Sequence, residues 1–166
     1  MSEGNIGWEE LNVNIFDLFA NRWGLVTAGT DSFNAMTVSW GSMGVMWSKP
    51  VVTVYVKPIR YTSEYLDRYE QFTLSFFPEK YRKDLATLGT YSGRDCDKLA
   101  MTGLTPAVTE NGVVYEQAEL TLVCRRLYRE PLKPEGIPAF AVEKYYTEEA
   151  PHCVYVGEVI DIIRHG

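Results

Sequence analysis

Residues 34–66 of the chain read NAMTVSWGSMGVMWSKPVVTVYVKPIRYTSEYL, and the fold prediction starts from this stretch. Residues 34–47 and 51–56 are rich in β-branched and aromatic side chains, as strands are. Pro58 ends the second run, and the segment TSEYLDRY at 62–69 predicts a short helix. The stretch therefore predicts closely joined strands with one small helix, which favours a β fold over regular alternation of strands and helices.

The rest of the chain continues this pattern of many strands and few helices. Short helices that end or connect strands are predicted at 14–23, 80–89 and 93–103. Three prolines and a glycine predict an irregular surface loop at 129–140. Further strands are predicted at 24–29, 71–77, 113–128, 138–146 and 152–164. We therefore predict a mainly β fold, an antiparallel barrel with short peripheral helices.

Length and composition favour one globular domain, residues 1–166. Hydrophobic residues make up 46% of the chain, which excludes wholesale disorder, and the apolar runs are too short to span a membrane. With 16 basic against 22 acidic residues, the chain offers no broad positive surface for nucleic acid. The N-terminal segment MSEGNIGWEE lacks the pattern of a signal peptide, so the expected compartment is the cytoplasm.

Cys96, Cys124 and Cys153 are an odd number of cysteines without C-x-x-C or zinc-ligand spacing. This spacing predicts neither a disulfide framework nor a metal site. Since free cysteine is among the most buried residue types, we expect all three thiols to be buried or half-buried.

The segment KPIRYTSEYL at 57–66 has the elements of an anion site. If Thr62 is the N-cap of the helix, its hydroxyl accepts from first-turn amides, and Arg60 adds a bidentate contact to an anion bound there. One phosphate monoester would fit this arrangement. The alternative is an ordinary helix cap, with Arg60 on the surface and paired to Glu64.

Three other segments carry candidate ligand groups. In the strand from Asn34, Thr37 and Ser39 share one face, which suits a flat, hydrogen-bonding heterocycle; the alternative is an ordinary barrel strand. The segment YSGRDCDKLAMTGLT at 91–105 combines a permissive glycine with basic residues, although it also suits a charged helix start. His152 opens a strand beside a proline, where the ring faces either a ligand or solvent.

Several common enzyme motifs are missing from the sequence. It contains no G-x-G-x-x-G after a strand, no G-x-x-x-x-G-K-[ST], no H-E-x-x-H and no G-x-S-x-G. These absences count against a Rossmann dehydrogenase, a P-loop nucleotide triphosphatase, a zincin and an α/β-hydrolase.

Taken in order, the quoted 34–66 stretch, FTLSFFPE, YSGRDCDKLAMTGLTP and HCVYVGEVID resemble the flavin reductase-like family of FMN-binding split barrels, and within it the flavoredoxin type. The resemblance runs from about Trp23 to the C-terminus. It implies a split β-barrel that forms a homodimer, with FMN near each end of the subunit interface.

The resemblance also implies roles for particular residues. The strand carrying Asn34, Met36, Thr37, Val38 and Ser39 would lie along the isoalloxazine ring, and Arg60, Thr62 and Ser63 would hold the 5'-phosphate. Ser92, Arg94 and Lys98 would lie near the same cofactor, and His152 close to the ring as the candidate catalytic residue. Ser75 stands where many relatives have asparagine, which would shorten or remove one polar contact to FMN.

The reaction implied by the resemblance is hydride transfer from NADH or NADPH to FMN. The alternative is a non-enzymatic electron carrier that keeps FMN bound and exchanges electrons with a redox protein. A structural or sensory role for the flavin is a third possibility. Since no dinucleotide-binding fingerprint is present, the electron donor is left open.

Overall fold

The structure, a computed structural model, describes residues 4–166, so residues 1–3 of the N-terminal segment lie outside the described residues. The strands are β1 Gly4–Asn5, β2 Gly24–Gly29, β3 Phe33–Val38, β4 Gly41–Met46, β5 Lys49–Val56, β6 Gln71–Phe76, β7 Pro106–Thr109, β8 Gly112–Tyr115, β9 Leu120–Pro131 and β10 Cys153–Arg164. The helices are α1 Ile15–Asp17, which continues as the π-helix Leu18–Arg22, α2 Tyr61–Arg68, α3 Arg82–Thr90 and α4 Ala139–Tyr145. Single 3-10 turns lie at Trp8–Glu10, Glu79–Tyr81, Leu99–Met101 and Pro134–Gly136.

One large antiparallel sheet organises the fold. Its strand order is β3-β2-β6-β9-β10-β5-β4, with β1 added to β10, and β7 and β8 form a separate hairpin. Within residues 4–166, β3 and β4 are free edges, so the curved sheet stays open between them. A mainly β fold with short peripheral helices is confirmed, whereas the single domain remains a prediction.

Curvature of the sheet comes from irregular pairing between β9 and β10. The register shifts between Val156 and Gly157 and again between Val159 and Asp161, and such bulges bend and twist the strand that carries them. Gly157 sits where a side chain would collide, since an added Cβ would lie 2.6 Å from the Phe72 ring. The long β10 can therefore bend over the core while staying paired with β5 and β9.

Apolar side chains from the strands form two buried clusters. The larger lies inside the curved sheet and is covered by Leu18 and Phe19 of the π-helix and Leu66 of α2. The smaller lies on the opposite face, where Leu85 and Leu88 of α3 pack against β2 and β8. Both α2 and α3 contact the free edge strand β3, from opposite faces of the sheet.

The predicted continuous strand at 34–47 is wrong, because it divides into β3 and β4 at opposite ends of the sheet order. At the division Gly41 passes so close to Phe19 that an added Cβ would lie 2.4 Å from ring carbon Cε1. The predicted strand at 113–128 likewise divides into β8 and β9, separated by a turn in which the Ala118 amide donates to the Tyr115 carbonyl at 3.1 Å.

Three other segments differ from the prediction. The strand predicted at 138–146 is helix α4, which begins after Pro138, whose fixed φ suits a helix start. The helix predicted at 93–103 is a series of turns with one 3-10 turn, because the Lys98 amine points inward and binds backbone carbonyls. The loop expected at 129–140 is replaced at its start by the end of β9.

The three cysteines differ in burial. Cys124 and Cys153 are buried as expected, but Cys96 is exposed, so the prediction for it is wrong. All three thiols are free.

Among residues 4–166, no group of three or more histidine, cysteine or acidic side chains is placed to hold a metal ion. In the same range, no helix has both the length and the apolar character needed to cross a membrane.

Candidate functional site

Helix α2 begins one residue earlier than the sequence suggests. Its N-cap is Arg60, with extended backbone angles, and no side chain caps the first turn. The expectation that Thr62 is the N-cap is therefore wrong: the buried Thr62 hydroxyl accepts a 2.7 Å hydrogen bond from the Asn34 side-chain amide instead. Ser63 closes the turn by donating to the Pro58 carbonyl at 3.0 Å.

Arg60 points toward the C-terminal end of α3. Its Nη2 donates to the Gly89 carbonyl at 2.9 Å, and burial lowers the pKa of the guanidinium. The surface pair expected between Arg60 and Glu64 is not formed, because Glu64 binds Arg94 at 2.5 Å. Arg60 therefore faces inward, where a cation favours the carbonyl end of a helix.

Lys98 lies beside Arg60 and is 95% buried by side-chain and backbone neighbours. Its Nζ donates to the carbonyls of Leu88 at 3.0 Å and Tyr91 at 3.1 Å. Burial, helped by the nearby Arg60 charge, lowers the pKa of Lys98 to about 8. The ammonium has three N–H donors, so one is left for a further acceptor.

These groups border a cavity of about 210 Å3, called here the α2 cavity. Arg60 and Lys98 contribute the positive charge, and the backbone amides at the start of α2 add to the positive potential, although the Ser63 amide is already used in a 3.0 Å bond to the Arg60 carbonyl. Its lining residues are Asn34, Ile59, Arg60, Tyr61, Thr62, Thr90, Tyr91, Ser92 and Lys98. A small anion such as a phosphate monoester matches this donor set.

A second cavity of about 390 Å3 adjoins the first and is called here the β3 cleft. Ile59 and Arg60 line both cavities, so the two open next to each other. Residues 36–40 form one wall. Because β3 pairs with β2 alone among the described strands, its other edge leaves backbone N–H and C=O groups for a ligand.

The two hydroxyls predicted on one face of this strand, Thr37 and Ser39, have different surroundings. Thr37 donates to the Leu85 carbonyl at 2.5 Å, so this hydroxyl anchors β3 to α3. Ser39 is exposed and lines the cleft. Met36 and Val38 belong to the larger core cluster, as the alternation predicted.

Aromatic side chains close the far end of the β3 cleft. The Trp40 ring centroid lies 4.9 Å from those of Tyr145 and His152. Nδ1 of His152 is 2.7 Å from the Tyr146 hydroxyl. Burial, with the Lys57 charge second, lowers the pKa of His152 to about 4, so the imidazole is neutral at physiological pH.

An ion pair holds the segment after α4 against this end of the cleft. Lys57 binds the Glu149 carboxylate and donates to the Tyr145 carbonyl at 3.3 Å. Tyr145 and Tyr146 were missed by sequence reasoning because their segment was predicted as a strand, and Glu149 because it falls between two predicted strands. Lys57 is the first residue of the 57–66 segment, but no pattern there indicated that it would reach the cleft.

The structure brings most of the predicted residues into the two cavities. Met36, Thr37, Val38, Ser39, Arg60 and His152 line the cleft, and Asn34, Arg60, Thr62, Ser92 and Lys98 line the α2 cavity. Arg94 lines a neighbouring hollow. Ser63 is buried behind the helix start, and Ser75 is buried in β6 with its hydroxyl 3.0 Å from that of Thr121, so neither lines these cavities.

Comparison with known proteins bears on this arrangement. The family model described as "Flavin reductase like domain" matches residues 16–166. A search of curated proteins found no match. Solved structures with the same fold include an FMN-binding protein from Thermus thermophilus with bound 1-cyclohex-2-enone (20% identity, 94% of this chain and 73% of that chain, TM-score 0.67).

Two further structures are similar to this chain. Flavoredoxin from Methanosarcina acetivorans has 22% identity over 94% of this chain and 74% of that chain, with a TM-score of 0.66. The NADH:FAD oxidoreductase SgcE6 from Streptomyces globisporus has 18% identity over 86% of this chain and 74% of that chain, with a TM-score of 0.65. At such identities the likeness establishes the fold, and the predicted split-barrel class is confirmed.

Proposed function

The chain belongs to the flavin reductase-like family, and on that premise we propose that it is an FMN-binding flavoprotein that accepts hydride from NADH or NADPH. The observation that carries the proposal is the junction of the α2 cavity with the β3 cleft. A cationic cavity suited to one phosphate opens beside an edge strand suited to a flat ring. FMN has these two parts in one molecule.

The donor set of the α2 cavity fits a phosphate monoester. Arg60 uses one guanidinium N–H on the Gly89 carbonyl, and its planar fork has four more. Lys98 keeps one free donor after its bonds to Leu88 and Tyr91. In the proposed complex Arg60, Lys98, the α2 amides and the Ser92 hydroxyl hold the phosphate.

The β3 cleft fits the ring system. Residues 36–40 would orient the ring through backbone groups on the free edge of β3, and Trp40 with Tyr145 would exclude water from one end. When bound, FMN supplies the hydride chemistry. In the proposed complex Tyr146 would donate to Nδ1 of the neutral His152, which would leave the Nε2–H as a donor for the flavin.

The second candidate is an electron carrier that keeps FMN bound and exchanges electrons with a redox protein. It is supported by the likeness to the flavoredoxin from Methanosarcina acetivorans, while the likeness to an NADH:FAD oxidoreductase supports the enzyme. The cleft geometry is compatible with both, because it concerns how the flavin is held.

A visible spectrum of the purified protein tests the cofactor. We expect flavin absorption bands, or their appearance after FMN is added and free FMN removed. A colourless protein that takes up no FMN would refute the proposed function. Anaerobic mixing with NADH and with NADPH then separates the candidates. In an enzyme the bound flavin is reduced and loses its absorption within the time of one turnover. In a carrier the flavin stays oxidised until a reduced protein partner is supplied.

We also propose that the protein is a homodimer. Edge strand β4 has no partner on its outer side among the described residues, carries no charged side chain between Gly41 and Met46, and exposes 71% of Val45. Trp47, in the adjoining turn, is 64% exposed. An unpaired, apolar sheet edge is expected to be covered by another chain, and a second copy of this protein would cover it. Sedimentation at micromolar concentration would give the mass of a dimer, and the mass of a monomer would refute this.

A further inference from the structure

An ion pair forms part of the lining of the β3 cleft. Among the described residues that line it, Lys57, Arg60 and Glu149 have side chains that are charged near neutral pH. Arg60 also lines the α2 cavity and donates to the Gly89 carbonyl, so its charge lies toward the proposed phosphate. Lys57 and Glu149 line the cleft but not the α2 cavity, so their charges belong to the part of the site proposed for the ring.

The chain holds the Lys57 ammonium in a defined position. It binds the Glu149 carboxylate, donates to the Tyr145 carbonyl at 3.3 Å and lies 5.8 Å from the Tyr146 ring centroid. A lysine side chain is flexible unless its contacts restrict it. Three contacts with one segment therefore fix this cation in the wall of the cleft.

The two charges of the pair differ in their exposure to solvent. The Lys57 side chain is 23% exposed, and that of Glu149 is 41% exposed. Water and salt screen an exposed charge more strongly than a partly buried one. The cation should therefore have the larger effect inside the cleft, and the pair leaves a net positive potential there although its formal charge is zero.

The neighbouring side chains indicate that both charges act within the cleft. Burial is the main cause of the low pKa of His152, the Lys57 charge lowers this pKa further, and the Glu149 charge opposes the shift. Burial likewise lowers the pKa of the Arg60 guanidinium, and the Glu149 charge opposes it. The fields of Lys57 and Glu149 therefore extend over this end of the cleft with opposite effects.

The proposed reaction changes the charge of the ring. A hydride ion is a proton with two electrons, so its transfer from NADH or NADPH to a neutral flavin ring adds one negative charge and leaves the nicotinamide oxidised. Protein charges near a flavin ring tune its electronics, and opposite charges attract more strongly where water is scarce. A cation in the cleft wall therefore favours the reduced form, and an anion there opposes it.

From this arrangement we propose that Lys57 stabilises the reduced flavin and that Glu149 limits this stabilisation, so that the pair sets the reduction potential of bound FMN. The inference rests on the proposed function, because it requires the ring to lie in the β3 cleft. Both residues act by their charge, and neither transfers a proton or an electron. Removing the cation should lower the potential and removing the anion should raise it, whereas loss of a shared structural contact would shift both variants in one direction.

Midpoint potentials of FMN bound to the full chain, measured by anaerobic titration against reference dyes, test these two signs. Lys57→Met should weaken reduced FMN relative to oxidised FMN about 5- to 30-fold, which lowers the potential by about 20–45 mV. Glu149→Gln should shift the potential the other way, by a smaller amount because this carboxylate is more exposed.

Two variants serve as controls. Lys57→Arg keeps the charge and should leave the ratio of the two affinities within about twofold. Lys49→Met removes a lysine at the other end of β5, from the 3.0 Å ion pair with Glu158 that lines neither cavity, and should leave the potential unchanged. Thermal melts check that each variant is folded.

A measurement without flavin tests the charge itself. NMR titration of the His152 ring in the chain without cofactor should give a higher pKa in Lys57→Met and an unchanged one in Lys57→Arg. The chain has two histidines, so His152→Gln assigns the signals. An unchanged pKa in Lys57→Met would show that the Lys57 charge does not reach the cleft and would overturn the inference.

The outcomes separate this inference from the proposed function. If FMN binds and the two variants shift its potential in the same direction, or not at all, the inference is overturned and the FMN site stands. If the chain takes up no FMN, the proposed function fails and the inference fails with it.

Discussion

Replacing Arg60 by alanine tests the phosphate role of the α2 cavity. Charge-assisted hydrogen bonds contribute about 1.5–3 kcal/mol each, and Arg60 is half-buried at the cavity wall. Loss of one such bond would raise the Kd for FMN about 10- to 150-fold. The Arg60 charge helps to lower the pKa of Lys98, so without Arg60 a larger fraction of Lys98 is protonated. The increase in the Kd for FMN should therefore lie toward the lower end of this range.

The same variant should leave riboflavin affinity within about threefold, because riboflavin has no phosphate for Arg60 to bind. The bond from Arg60 to the Gly89 carbonyl is also lost, which should reduce the free energy of unfolding by about 1 kcal/mol. Flavin fluorescence titrations give both dissociation constants, and a urea melt gives the stability.

Arg68→Ala is the matched control. Arg68 is exposed in the last turn of the same helix and lines neither the α2 cavity nor the cleft, so its loss should leave both flavins unaffected. If Arg60→Ala weakens FMN and riboflavin equally, Arg60 does not bind the phosphate and acts through the shape or stability of the site.

Other residues give further predictions. Since the pKa of Lys98 is about 8, FMN affinity should fall as pH rises from 7 to 9.5 and riboflavin affinity should not; Lys98→Met should remove the pH dependence, and a dependence that survives would contradict this. His152 stays neutral in the fold down to about pH 4 but takes up a proton near pH 6.5 when unfolded. Its contribution to the free energy of unfolding is therefore complete above pH 6.5 and is lost as the pH falls toward 4. Thermal melts of His152→Gln should lose less stability between pH 6.5 and 4 than those of the unmodified chain. An equal loss in both would show that His152 is not its source. The same variant should change NADH turnover, and unchanged turnover would assign His152 a structural role. Gly93→Ala should destabilise the fold by about 1–3 kcal/mol by displacing Asn34, and an unaffected urea midpoint would show that the Asn34 side chain can move aside.

The strands were predictable where composition and alternation agree. β2 coincides with residues 24–29, and β5, β6 and β10 lie within a few residues of the predicted bounds. Arg60 was found because it stands beside a helix start, a feature that sequence alone can show. The division between β3 and β4 was not predictable, because it depends on Gly41 meeting Phe19 across the fold.

The other failures have a similar cause. The segment of α4 contains alternating apolar residues that also suit a strand, and its contact with Trp40 is made across more than a hundred residues of chain. The inward turn of Lys98 depends on carbonyls at the end of α3, which no local pattern shows. Sequence patterns therefore predicted which side chains meet in the two cavities better than they predicted the bounds of the elements that carry them.

The position of β10 affects the order in which the protein can fold. This C-terminal strand lies between β9 and β5 and is the connection through which the β3-β2-β6-β9 half of the sheet joins the β5-β4 half. The two cavities draw on both halves, through β3 and α3 on one side and residues 55–60 on the other. Because such long-range pairing is slow to form, cofactor uptake should follow the insertion of the last strand and provide a late, visible signal of completed folding.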